Sequence, residues 1–85
     1  LDFIKRAKND LEKRDGLQPA RFELTGNNNS VTAKLKQGPD IYFNTTASLE
    51  NQINKLLIVK EEKLQDNFAQ KEYIDVRIGD NVYYR

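Results

Sequence analysis

Hydrophobic and polar positions follow two periods along this chain, and the switches between them mark its elements. In DFIKRAKNDLEKRDG, residues 2–16, the apolar side chains Phe3, Ile4, Ala7 and Leu11 recur at the i, i+1, i+4, i+8 spacing of one helix face. Asp2 suits a helix start. Gly16 supplies the left-handed residue that ends many helices, with Leu17 placed for the accompanying apolar contact. The period then drops to two. PARFELTG sets Ala20, Phe22 and Leu24 against Arg21, Glu23 and Thr25, and SVTAKLK sets Val31, Ala33 and Leu35 against Thr32, Lys34 and Lys36. The intervening GNNN predicts an antiparallel hairpin. After the turn QGPD, IYFN continues the pattern with Ile41 and Phe43 inward. Three such strands, apolar on one face and polar on the other, predict a meander covered on one side only.

The helical period returns in TTASLENQINKLLIVKEEKLQ, residues 45–65. Thr46 is the expected N-cap, and Leu49, Ile53, Leu56 and Leu57 form the expected buried stripe, extended by Leu64 and Phe68. KEEK occupies solvated positions. QDNFAQK leads into YIDVRI, where Ile74, Val76 and Ile78 are expected in the core and Tyr73, Asp75 and Arg77 on the other face. Asp75 and Arg77 share that face within pairing reach. A turn at Gly79-Asp80-Asn81 returns the chain as VYYR. The predicted fold is α+β: a small, mostly antiparallel sheet of four to five strands with two helices on one face, in the order α-β-β-β-α-β, closed by a short terminal hairpin.

Composition narrows the function. Eighty-five residues, 38% hydrophobic and 32% charged, make one domain, 1–85, with a modest core. The net charge is +1, with acid and base interleaved, so no acidic polymer or membrane surface is indicated as partner. No apolar run reaches the ~20 residues of a membrane span. Leu1 opens directly into a helical pattern, as expected for a piece of a longer protein.

Cysteine and histidine are both absent, which removes thiol chemistry, the usual zinc ligands and the commonest general base. Ser30 and Ser48 have no histidine to activate them, and Glu61 and Glu62 are neighbours that diverge on a helix. The glycines at 16, 26, 38 and 79 sit in separate turns rather than in a phosphate-binding loop. The expectation is a non-enzyme with no cofactor, metal or small-molecule substrate. Asn28-Asn29-Ser30 and Asn44-Thr45-Thr46 match the glycosylation pattern but are more simply turn and cap residues.

Two binding readings remain. An open sheet face carrying Tyr42, Tyr73 and Tyr83 could stack the bases of single-stranded RNA or DNA, although the cations are diluted by nearly equal acid. The stronger reading is protein binding at the last strand. Exposed edges usually carry lysine, proline or a bulge, whereas VYYR carries β-favouring aromatics. Such an edge can accept a strand from a partner. The competing possibility is that Tyr83 and Tyr84 pack within the domain itself.

YIDVRIGDNVYYR resembles the Tyr-Ile/Val-Asp-Leu-Arg signature that closes the β domain of the bacterial division protein family FtsQ, or DivIB. The matching residues are Tyr73, Ile74, Asp75, Val76 and Arg77, with Val76 in place of the usual leucine. LEKRDGLQPARFELTGNNNSVTAKLKQGPDIYF and TASLENQINKLLIV resemble the upstream helix, strands and second helix of that domain. The resemblance implies a non-enzymatic scaffold on the extracytoplasmic side of the bacterial cytoplasmic membrane, at the division septum, anchored through a membrane helix and a POTRA-type domain absent from this sequence. It also implies FtsB/DivIC-type and FtsL-type partners, a partner strand adding beside the last strand, and a role in assembling the septal peptidoglycan synthesis complex. By position it assigns the docking edge to Arg77, Ile78, Gly79, Asp80, Val82, Tyr83 and Tyr84.

Overall fold

The computed structural model describes residues 2–27 and 29–85. Leu1, and with it the helical opening expected there, and the Asn28 glycosylation match lie outside the described residues. The elements are α1 (Asp2–Leu11), β1 (Pro19–Thr25), β2 (Ser30–Leu35), β3 (Asp40–Asn44), α2 (Leu49–Ile58), β4 (Tyr73–Asp75) and β5 (Tyr83–Tyr84). Between α2 and β4 the chain passes through a π-helical segment, Val59–Leu64, and a 3₁₀ segment, Gln65–Gln70.

The five strands form one sheet in sequence order, β1-β2-β3-β4-β5. All neighbours are antiparallel except β3 and β4, which run parallel with Ile41 beside Ile74. A parallel pair needs a long connection, and α2 with its two continuations supplies it. This is the expected α+β architecture, with the terminal hairpin formed by β4 and β5.

Both helices cover the same face. Phe3, Ala7 and Leu11 of α1 and Leu49, Ile53 and Leu56 of α2 share one core with Val31, Ala33, Ile41, Phe43, Ile74 and Val76. Phe3 meets Phe43 edge-on, with ring centroids 6.0 Å apart. Leu64 and Phe68 are buried, so the stripe does extend beyond α2, but through a change of helix type. At that junction Gln65 takes φ 48° and ψ −120°, a conformation that glycine adopts far more easily. Lys60 lies over the ring of Phe68, 5.6 Å from its centroid, while Glu61, Glu62 and Lys63 are exposed.

Several details depart from the sequence pattern. α1 ends at Leu11, and residues 12–16 continue as turns, so Gly16 (φ 80°) closes the turn rather than the helix. Leu17 is nonetheless fully buried. The N-cap of α2 is Ser48, whose Oγ accepts the Asn51 N–H at 3.2 Å. Thr46 is engaged elsewhere, giving its N–H and hydroxyl to Asn44 Oδ1 at 2.9 and 2.7 Å. The inward face of β1 is only partly covered: Phe22 is half-buried and Leu24 is 47% exposed, because the helix layer does not reach the end of this strand. Ala20, expected inward, is exposed: it falls in the register shift between Pro19 and Arg21, and Pro19 is buried in its place. Leu35 and Leu57 are half-buried. Ile78 is 52% exposed, because it lies beyond β4 where the chain bends into the turn. The pattern also did not mark Gln52, which is buried and joins α2 to β3: its amide accepts the Asn44 N–H at 2.7 Å and donates to the Asn44 carbonyl at 2.9 Å.

Candidate functional site

Among the described residues β1 and β5 are the two margins of the sheet. At the β5 margin, the Arg85 N–H donates to the Tyr73 carbonyl at 3.3 Å and the Tyr73 N–H to the Arg85 carbonyl at 3.5 Å. Tyr73 and Arg85 are therefore a bonded pair. In an antiparallel ladder bonded and non-bonded pairs alternate. Ile74 and Tyr84 then form the non-bonded pair and Asp75 and Tyr83 the next bonded one. The consequence is that the N–H and C=O of Tyr84 point away from β4 toward the open margin.

The side chains are sorted by the same register. Tyr84 lies on the helix side opposite Ile74, as does Val82, which is half-buried against the core. Tyr83 lies on the uncovered face opposite Asp75. Both tyrosines are substantially exposed, Tyr83 at 50% and Tyr84 at 42%.

A groove of about 370 Å³ runs beside this margin between the sheet and the helix layer. Ile58, Val59, Val82 and Tyr84 give it apolar walls, and Lys55, Lys63, Asp80 and Asn81 line the rest. Ile58 is 48% exposed there. Lys55 fixes the turn before β5 by donating from Nζ to the carbonyls of Gly79 at 2.6 Å and Asn81 at 3.4 Å. Lys71 Nζ lies 5.4 Å from the centroid of the Tyr84 ring.

The residues assigned to a docking edge thus separate into three groups. Val82, Tyr83 and Tyr84 lie along the margin. Ile78, Gly79 and Asp80 form the bend and turn that lead to it and offer no strand ladder. Arg77 lies on the uncovered face, where its Nε and Nη2 donate to Asp75 at 2.9 and 2.8 Å and its Nη1 to Ser30 Oγ at 3.2 Å. Its guanidinium also covers the Tyr42 ring, 5.3 Å from the centroid. Burial pushes the Asp75 carboxyl up, but the hydrogen bonds from the Arg77 side chain and backbone, with the charges of Arg77 and Lys55, outweigh it and hold the carboxyl below its ordinary range.

Lys55 and Ile58 are the participants that the strand-based reading did not reach. Lys55 carries no local signal, since its contact to Gly79 spans 24 residues. Ile58 did carry one: Leu56-Leu57-Ile58-Val59 is a run of four apolar residues, wider than one helix face can bury.

The uncovered face is arranged differently from a base-stacking platform. Tyr42 and Tyr73 stack on each other, with centroids 5.1 Å apart and planes 13° apart. Lys34 is paired with Asp40 at 2.7 Å, and that hydrogen bond raises the lysine's pKa. No group of three or more His, Cys, Asp or Glu suited to a metal ion occurs among the described residues, and none of their helices is long and apolar enough to cross a membrane. Comparison with family models, curated proteins and solved structures found no match.

Proposed function

We propose that this chain is a non-enzymatic β domain of an FtsQ/DivIB-like division scaffold, and that it binds FtsB/DivIC-type and FtsL-type partners by accepting a strand along β5. The observation that carries the reading is the sheet margin at β5, where the N–H and C=O of Tyr84 point outward beside two exposed tyrosines. An added strand satisfies those groups, and its alternate side chains fall into the groove lined by Ile58, Val82 and Tyr84. The tyrosines contribute large contact area with few rotatable bonds, as interface anchors do.

In this reading the Tyr73–Arg77 signature builds the site rather than touching the partner. Its Asp75–Arg77 pair holds β4 in place, and β4 is the template on which β5 lies. The domain would act on the extracytoplasmic side of the cytoplasmic membrane at the septum, tethered by upstream sequence. A gene sequence with one apolar span ahead of Leu1 supports that placement, and a cytosolic fusion contradicts it.

The test is an amide chemical-shift titration of the ¹⁵N-labelled chain with the soluble segment of an FtsB/DivIC-type partner. Shifts are expected at Val82–Arg85 and at Ile58. Tyr84→Pro removes an outward N–H without taking a bond from β4, and is expected to abolish binding. Tyr84→Ala keeps the N–H and is expected to weaken binding only in part. Unchanged binding by Tyr84→Pro, or shifts confined to Tyr42 and Tyr73, rejects strand addition. Salt-sensitive binding of single-stranded RNA would instead favour the nucleic-acid alternative.

A further inference from the structure

The opposite margin of the sheet is the longer one, and its backbone can be read from the neighbouring ladder. The Thr45 N–H donates to the Asn29 carbonyl at 3.0 Å, which makes these two a bonded pair between the strands β2 and β3. By alternation Val31 and Ala33 bond to β3, leaving Ser30, Thr32 and Lys34 to bond to β1. Those three meet Thr25, Glu23 and Arg21. The N–H and C=O of Phe22 and Leu24 therefore point out of the sheet.

The side chains along this margin complement themselves. On the helix side, Leu24 is 47% exposed, and a cleft of about 330 Å³ lies nearby, lined by Ile4, Lys8, Ala20 and Phe22 among others. On the uncovered face, Arg21 and Glu23 are both exposed, with Nε and Oε2 2.8 Å apart.

We propose that β1 pairs antiparallel with β1 of a second copy of the chain, centred on Phe22, so that two five-stranded sheets become continuous. A two-fold axis at Phe22 lets the two copies exchange N–H···O=C bonds at that residue. It also sets Arg21 opposite Glu23 of the second copy, and Glu23 opposite its Arg21. On the helix side Leu24 reaches toward the cleft beside the second copy's Ile4 and Phe22. The charges favour this register over the two adjacent ones. Centring the pair on Arg21 or on Glu23 instead places like charges face to face, which is unfavourable in a cross-strand pair. Pro19, together with the register shift between Pro19 and Arg21, limits the ladder at its start. The join is therefore short and smaller than the ~1,600 Å² of a standard interface, and the association is weak.

Sedimentation equilibrium of the 85-residue chain up to ~1 mM tests this directly. A monomer–dimer equilibrium is expected. Glu23→Arg or Arg21→Glu alone should weaken it about tenfold or more, since each puts like charges opposite one another. The double variant Arg21→Glu/Glu23→Arg restores opposite charges and should return the equilibrium to near its original value. Both side chains are exposed, and circular dichroism should show the fold retained in every variant. Leu24→Asp should also abolish association, whereas Tyr84→Pro, at the other margin, should leave it unchanged. A chain monomeric throughout, single reversals without effect, or a double variant that fails to recover would each overturn the proposal.

Discussion

Asp75 and Arg77, two residues apart on the uncovered face of the sheet, meet in a two-point ion pair, Nη2 to Oδ2 at 2.8 Å and Nε to Oδ1 at 2.9 Å. The Arg77 backbone N–H adds a third bond to Oδ1 at 3.0 Å. The carboxylate is almost fully covered, whereas the guanidinium side chain remains 38% exposed. A charged group is thus buried at the start of the connection that presents β5, and its bonds make that burial tolerable.

Asp75→Asn is expected to destabilise the chain by about 1–2 kcal/mol in urea unfolding, the lower end reflecting the solvent exposure of Arg77. The pH dependence follows from the lowered carboxyl. In the folded state it holds its proton less tightly than the ordinary value of 3.8, so its stabilising contribution is complete above that value and is lost as pH falls through the lowered one. Unfolding curves between neutral and strongly acid pH should converge for Asp75→Asn and the unaltered chain at the acid end. Parallel curves would show that the pair contributes nothing.

Gln65→Gly is expected to stabilise the chain by about 1 kcal/mol, because Gln65 holds φ 48° and ψ −120° where a Cβ is strained. Thermal unfolding checks this. A loss of stability would mean that the flexibility glycine adds to the unfolded chain outweighs the strain relieved.

Ser48→Ala removes the cap of α2 and should cost about 1 kcal/mol. Thr46→Ala, outside the helix, loses only the exposed turn contact to Asn44 and should cost about half as much. Chemical denaturation of the two variants distinguishes them, and the reverse order would relocate the helix start.

Ile58→Asp should cost about 1 kcal/mol, since roughly half of the side chain is covered, and it should weaken binding of a partner strand to the β5 groove far more than that. Val82→Pro makes a less clean test. It stiffens the approach to β5, but Val82 also packs against the core, so a loss of about 1 kcal/mol is expected together with lost binding. Calorimetry for affinity and melting curves for stability separate the two effects.

Much of the architecture was legible locally. Alternation in VTAKL and IYF and the helical spacing of Phe3, Ala7 and Leu11 gave the elements and most of the core, because a period of two or 3.6 commits side chains to a face before any partner is chosen. The Asp75–Arg77 pair was legible for the same reason, as two alternating positions of one extended segment, although β4 itself ends at Asp75. The helix limits were less so: several polar residues near α2 can serve as caps, and the choice of Ser48 over Thr46 depended on the turn that Asn44 makes.

By itself, then, the chain determined which residues face one another within each segment, and through its lack of cysteine and histidine it removed whole classes of chemistry. Tertiary structure decided which of those faces are covered. Leu24 follows its strand's alternation and still meets solvent because the helix layer stops short of it, and Ile78, alternating in sequence, meets solvent because β4 has ended and the chain turns away. It also brought Lys55 and Ile58 from the helix to the turn and margin around β5, contacts that span some two dozen residues. Periodicity records the direction of a side chain, whereas exposure depends on how far a neighbouring element extends, and that length is set by packing across the whole sheet.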